Sequence, residues 1–330
     1  MDRTVKVYNF NVMCRRCGEN YKNSEMANII DKKYTHLCKN CAERNGFNLC
    51  HCGNYYAGNC LCGHKKDKNK IKIEEYNFTG KYEEFKLNKD DNMLFGIEIE
   101  LEFKDSSYDN LKDLNKKDWL FFKRDGSLQN GVEIVTMPLG YEWMQANKND
   151  FKDIFRLAEL KMKSKLTRTC GMHVHIPKNI FTDKHLEEFN KFIQLNQEFM
   201  IYISERHWDT FTRWASFIDN RPNLTEQERL NVIKIIKKQV KRKDNCGQDR
   251  HSAINFANPQ TVEIRIFKGS LSSYTFWKNI EFIRALYFFS KESENQSIDA
   301  FNKYVNIHKE EFSYLYDFIS DNVKEEILGR

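Results

Sequence analysis

Four stretches of the sequence carry side chains that could do chemistry together. In Phe95-Gly96-Ile97-Glu98-Ile99-Glu100-Leu101-Glu102-Phe103, carboxylates alternate strictly with large apolar residues. That period of two predicts a β-strand with Glu98, Glu100 and Glu102 on one face and Ile97, Ile99, Leu101 and Phe103 on a core face. At a rise of about 3.3 Å per residue, neighbouring carboxylates on that face stand about 7 Å apart, so they raise each other's pKa unless cations intervene. A divalent metal ion is the natural counter-charge. Gly171-Met172-His173-Val174-His175-Ile176 predicts a second strand with two imidazoles on one face, a pair that suits a metal or a phosphate. In Val262-Glu263-Ile264-Arg265-Ile266, Glu263 and Arg265 share a face in the same way. Glu133 is the one charge in the apolar stretch 131–137, and a lone carboxylate there is costly to bury unless it is paired or metal-bound.

A second chemistry lies in the first 62 residues. Cys14 and Cys17, Cys38 and Cys41, Cys50 and Cys52, and Cys60 and Cys62 form four close pairs, with His36, His51 and His64 as further possible donors. Close pairs let two thiolates grip one tetrahedral ion while another pair closes it, so two structural Zn²⁺ ions are expected. Which pairs share an ion is left open by the spacing. The alternative, a disulfide framework, needs an oxidising compartment. The first 13 residues hold no apolar core of a secretion signal, and nowhere do about 18 apolar residues run together, so a cytoplasmic protein with no membrane span is expected.

Other chemistries are disfavoured by placement. Cys170 and His173 are three apart on a strand, hence on opposite faces, which argues against a Cys-His nucleophile. Pro177 and Lys178 stand where an H-x-H-x-D-H zinc hydrolase would need its acid and third histidine. The sequence has no G-x-x-x-x-G-K-[ST] loop and no G-x-G-x-x-G turn, so any nucleotide phosphates would have to be held by metals and arginines. The net charge of +6 lies wholly in residues 1–90, which hold 17 Lys and Arg against 11 Asp and Glu. Eight thiolates on two Zn²⁺ would reduce that excess to about +2, too weak a footprint for a nucleic-acid partner to be expected.

The elements that must position these residues follow from periodicity. With 330 residues, 40% hydrophobic and 14% aromatic, the chain can bury a sizeable core beside a small module. Residues 1–64 read as the zinc module and 65–92 as a polar connection with a short strand at 70–73. Residues 93–330 read as the main domain. There, helical spacing predicts helices over 141–163, 184–203, 224–240, 274–290, 297–306 and 310–328. Strands are expected at 131–137, 250–257 and 261–268, a turn at Asp125-Gly126-Ser127, and a long loop over 205–223 that could cover a site.

Taken in order, FGIEIELEF, GVEIVTMPL, CGMHVHI and HSAINFANPQTVEIRIFKGSL resemble the phage and bacterial amidoligase family, relatives of glutamine synthetase and glutamate-cysteine ligase. The resemblance covers roughly residues 93–290 and leaves the cysteines outside. It implies an α+β fold, an antiparallel sheet flanked by helices with the site on its concave face. It implies Glu98, Glu100, Glu133, His173 and Glu263 as Mg²⁺ ligands. It also implies Arg265 and Arg250 on the transferred phosphate, with His175 on the nucleotide and Asp125 completing the catalytic set. Where glutamine synthetase has a residue shaping its glutamate site this chain has Thr169-Cys170, so the amino-acid specificity does not carry over.

Two functions are then open. The first is an ATP-dependent ligase joining a carboxylate to an amine through an acyl phosphate, on a peptide or protein substrate presented by the zinc module. A resting carboxylate is a poor electrophile, which is why such a reaction needs ATP. The second is a binding protein, a zinc module for a protein or nucleic-acid partner on a ligase-like scaffold that no longer turns over. Uncompensated acidic clusters cost stability, which favours the first.

Overall fold

The computed structural model divides into two compact units, residues 1–70 and 71–330. It describes residues 11–22, 26–27, 37–44, 47–49 and 55–57 of the first unit. Of the second it describes 71–75, 93–103, 108–128, 130–158, 160, 162–164, 167–221 and 223–327. In the first unit β1 (Asn11–Met13) pairs with β2 (Asn20–Lys22), α1 (Lys39–Arg44) follows, and β3 (Phe47–Leu49) pairs with β4 (Tyr55–Ala57), both pairs antiparallel. The core described there is small: Cys14, Ala27, Leu37, Cys38, Ala42, Phe47 and Tyr55. Clusters of this size rarely hold a fold without a metal or disulfide.

The second unit is built on a sheet of β5 (Ile73–Glu74), β6 (Leu94–Phe103), β7 (Leu120–Lys123), β8 (Gly131–Thr136) and β9 (Leu139–Gly140). Next come α2 (Tyr141–Ala146), α3 (Lys148–Phe155), β10 (Met162–Lys163), β11 (Gly171–Pro177), α4 (Asp183–Leu195) and α5 (Gln197–Ser204). The chain ends with α6 (Trp208–Trp214), α7 (Glu226–Arg242), β12 (Ile254–Asn255), β13 (Thr261–Lys268), α8 (Ser273–Glu292), α9 (Ile298–Ile307) and α10 (Ser313–Ile327). Among the described residues the sheet runs β12-β13-β11-β6-β8-β7-β5, with β9 and β10 also pairing with β6. The fold class is therefore α+β. The sheet is mixed rather than wholly antiparallel, because β5 joins β7 in parallel. That strand is the short one expected at 70–73 within the connecting stretch, found at Ile73–Glu74, and the second compact unit takes in the residues from 71 onward.

One face of the sheet is apolar. Ile97, Ile99 and Leu101 of β6, Val174 and Ile176 of β11, and Val262 and Ile264 of β13 have no exposed surface. The long helix α8, buried on most of its length, backs this face: Asn279 reaches Met172 (3.6 Å) and Phe282 packs against Phe267. Among the described residues no helix is long and apolar enough to cross a membrane.

Two helices expected as single pieces are broken at asparagines. Asn147 donates its side-chain amide to the Trp143 carbonyl (2.8 Å), which also accepts the Asn147 backbone N–H (3.0 Å), and Asn196 donates its side-chain amide to the Phe192 carbonyl (3.0 Å), while the backbone of both leaves helical values with ψ of 25° and 53°. The first break leaves α2 and α3, and residues 162–163 become a strand against Phe103 and Glu102 of β6. The expected loop 205–223 contains α6, and α7 begins at a full capping box of Thr225 and Glu228.

Glu281 of α8 is 2% exposed and accepts the Leu315 N–H (3.0 Å) at the start of α10. Burial pushes its pKa up to about 7, against the downward pull of the Leu315 and Tyr314 N–H groups. A raised folded-state pKa means that the native state holds the proton longer than the unfolded chain. Stability is therefore greatest below the ordinary carboxylate value of 4.5 and falls as pH rises to about 7. Glu281→Gln keeps the acceptor without the charge. Unfolding free energies from denaturant titrations between pH 5 and 8 should fall in the wild type relative to this variant, by at most about 3 kcal/mol. Parallel pH profiles would remove Glu281 as the cause.

Candidate metal centre

The polar face of the same sheet gathers the charges. Register places Glu98 of β6 opposite His173 of β11, Glu100 opposite Glu133 of β8, and His175 opposite Glu263 of β13. Lys123 of β7 follows Glu133 in the next strand, at 4.0 Å. His173 Nδ1 lies 3.4 Å from Glu98 and 3.7 Å from Glu263, and its Nε2 lies 3.9 Å from Glu100. His175 Nε2 stands 3.5 Å from Glu98. Three groups of potential ligand atoms, each within 4.8 Å, result: Glu98, His175 and Glu263; Glu98, Glu133 and His173; Glu100, Asp125 and Glu133. All five residues expected as metal ligands come together. His175 and Asp125, expected in other roles, join them as donors.

The electrostatics are those of a cluster in want of positive charge. Burial and the neighbouring Glu98 and Glu100 push Glu133 well above the usual carboxylate range, and burial also raises Glu100. Burial works against Glu98 too, yet the imidazoles of His175 and His173 outweigh it and hold Glu98 well below that range. For Glu263 the same opposition is won by Arg265, which donates to its Oε1, while Asn255 donates to Oε2 (2.7 Å). His175 Nε2 and Arg265 Nε are buried without a hydrogen-bond partner. Hard carboxylate oxygens with imidazole suit Mg²⁺ or Mn²⁺, and orphaned buried nitrogens fit a site built around further charged groups.

The strand geometry that aims these side chains includes a bulge. Met172 pairs with Phe267 but Val174 pairs with Ile264, so Arg265 and Ile266 together stand opposite His173. The Ile266 and Phe267 carbonyls there accept from Arg206, at 3.1 and 2.8 Å. Arg206, 5% exposed, lies in a stretch without periodicity, and these two hydrogen bonds are what tie it to the sheet. Gly171, whose N–H donates to Glu100, lies beside it. A Cβ on Gly171 would stand 2.6 Å from Arg206 Nη2, 2.9 Å from His173 Nε2 and 3.4 Å from Glu100 Oε2. Asn255, the one polar residue in its apolar run, was the other omission. Arg250 is exposed beside His251, and both Arg250 and Arg265 disfavour a proton on that imidazole in addition to its burial. Asp125 is fixed by the Ser127 N–H (2.6 Å) in the expected turn.

In the first unit Cys14, Cys17, Cys38 and Cys41 offer four sulfurs within 4.8 Å of one another, a set compatible with a structural zinc ion. Sequential pairs thus share this site. Burial opposes ionisation of Cys14, but N–H groups of Cys17, Cys38 and Arg16 bring it to about 6. Cys41 is pushed up to about 12, first by its side-chain hydrogen bond with Cys38. Cys50, Cys52, Cys60, Cys62 and the three histidines considered with them lie outside the described residues.

Compared with protein-family models and with curated proteins, the chain matches none.

Two measurements check these assignments. Glu133→Gln removes the carboxylate most opposed to ionising, so in EDTA the variant should be more stable than wild type, by about 1 kcal/mol or more, while its affinity for Mg²⁺ falls. A less stable variant with unchanged Mg²⁺ affinity would show that no ion belongs there. Metal analysis of reduced protein should find zinc, with Cys38→Ser losing at least one equivalent; equal zinc in both would exclude Cys38 as a ligand.

Proposed function

We propose that the acidic face is the catalytic centre of an ATP-dependent carboxylate-amine ligase. In this reading the fold is that of glutamine synthetase and glutamate-cysteine ligase, and the product is an amide or isopeptide bond on a peptide or protein. The single observation that supports it best is the convergence of Glu98, Glu100, Glu133, His173, His175 and Glu263, with Arg265, from four strands onto one face.

Metal ions and ATP, when bound, would supply charge neutralisation and the activation of the acid as an acyl phosphate. Glu98, Glu263 and the two histidines would hold one cation pair, with Glu100, Glu133 and Asp125 beside them. Arg265 brings a permanent positive charge to the face, with Nε free to meet negative charge developing on an oxygen there. Asp125, at the rim and only partly buried, is placed to take the proton that an attacking amine must lose. Arg250, exposed beside His251, is left to steer anionic substrate. The cysteine unit, which offers sulfur and not oxygen, contributes no step; it presents or recognises the peptide.

The assay supplies Mg²⁺-ATP with candidate acids and amines and follows ADP together with a product lighter than its two parts by one water. Glu98→Ala should abolish ADP formation. Arg265→Ala should lower turnover by about 10² with a smaller effect on nucleotide affinity, since its charge acts where charge develops. Absence of Mg²⁺-ATP binding by the wild type, or full activity in both variants, would end this reading.

A further inference from the structure

Behind Glu263 a chain of side-chain amides leads away from the acidic face. Asn255 of β12 stands opposite Glu263 of β13, is 7% exposed, and donates to Oε2 (2.7 Å), while Arg265 donates to Oε1. Each carboxylate oxygen thus meets a fixed donor, and the group cannot swing about its last bond. The Asn255 amide is itself locked. Its Oδ1 accepts from Asn245 Nδ2 (2.7 Å) and from the Ala257 N–H (3.0 Å), so a turned amide would set its NH₂ against two donors and its oxygen against Glu263. Asn245 is locked in the same way, because its Oδ1 accepts the Phe256 N–H (2.6 Å).

The loop that carries Asn245 is pinned in turn. Lys178, 8% exposed just after β11, spends its three ammonium protons on the carbonyls of Lys243 (3.1 Å), Phe256 (2.9 Å) and Asn258 (2.6 Å). It therefore ties the loop before Asn245 to the turn after Asn255. Lys243 and Cys246, on either side of Asn245, have φ of 57° and 49°, a region that residues with side chains seldom occupy. Neither asparagine belongs to the donor groups of the acidic face, yet both are held as firmly as the carboxylate at the end of the chain.

We propose that Asn255, oriented by Asn245, is a positioning residue that fixes Glu263 for a small divalent ion and so raises the affinity of the acidic face for Mg²⁺ relative to Ca²⁺. Mg²⁺ demands near-octahedral oxygens at short, fixed distances, whereas Ca²⁺ accepts about six to eight oxygens in looser geometry, often both oxygens of one carboxylate. A Glu263 that cannot swing meets the first demand and not the second. Without Asn255 the face loses Mg²⁺ affinity by the amount typical of a lost supporting hydrogen bond, about 10- to 100-fold, and loses Ca²⁺ affinity far less. This assignment rests on a metal ion at the acidic face and on no step of ATP chemistry.

The test titrates Mg²⁺ and, separately, Ca²⁺ calorimetrically into the full chain dialysed free of loosely held metal. Asn255→Leu, close in volume, should lower Mg²⁺ affinity by about tenfold or more and Ca²⁺ affinity by no more than about threefold. Asn245→Ala should shift the two in the same sense although it is no donor. The double variant should lose no more Mg²⁺ affinity than Asn255→Leu alone, because Asn245 acts through Asn255. Circular dichroism and thermal midpoints without added metal establish that each variant is folded; if Asn255→Leu is not, Asn245→Ala decides. Equal losses for the two ions, unchanged Mg²⁺ affinity in a folded variant, or additive losses in the double variant overturn the proposal, since a merely structural frame weakens both ions alike or neither. A wild type that binds neither ion removes the metal assignment and this inference together. The expected pattern in a protein that forms no ADP discards the ligase and keeps the positioning role.

Discussion

The second unit depends on a single electrostatic constraint: carboxylates from three strands must be buried side by side on one face of a sheet. Glu100 and Glu133 are directly opposed across β6 and β8, an arrangement that destabilises a sheet unless positive charge lies close by. Every neighbouring strand supplies some. β11 places His173 and His175 between Glu98 and Glu263, β13 supplies Arg265, and β7 brings Lys123 to the far side. Compensation is uneven, however. Glu98 and Glu263, where imidazole or guanidinium outweighs burial, stay readily ionised, while Glu133 does not, nor does Glu100, whose burial outweighs the nearby His173. The imbalance points to cations on the Glu100 and Glu133 side as much as on the histidine side.

The constraint is met by an apolar face that needs no help from metal. Ile97, Ile99, Leu101, Val174 and Ile264 alternate with the charged residues and are completely buried. Burying a side chain of this size is worth about 1.5–3 kcal/mol, so the aliphatic rows against α8 outweigh the repulsion of a few partly neutralised carboxylates. Where the alternation would misdirect a side chain, the bulge opposite His173 resets it, and Arg206 takes up the carbonyls that the bulge leaves. That one arginine ties the strand end to the segment before α6.

What the sequence disclosed follows from the range of the forces involved. Alternation within β6, β11 and β13 is local, so the faces of Glu98, His173 and Glu263 were readable from spacing alone. Their assembly on one face depends on register, which only the order of the resembling motifs hinted at. Asn147 and Asn196 end helices through side-chain hydrogen bonds that compete with a strong apolar period, and the period alone predicts continuity. The short strand read at 70–73 is β5, but its parallel pairing with β7 joins residues far apart in the chain, which no local pattern discloses. Arg206 lies in a stretch where neither period applies, and its role appears only when β13 passes beside it.

The two units answer the problem of binding metal with opposite donors. Four soft sulfurs lie together in the first unit, a set compatible with a structural zinc ion, and an ion in such a site is coupled to folding. Oxygen and imidazole donors lie on a sheet whose core is complete without them, so an ion there can exchange or take part in chemistry without unfolding the chain. Donor hardness separates the two sets: thiolates compete poorly for hard ions such as Mg²⁺, and carboxylates bind Zn²⁺ less tightly than four sulfurs do.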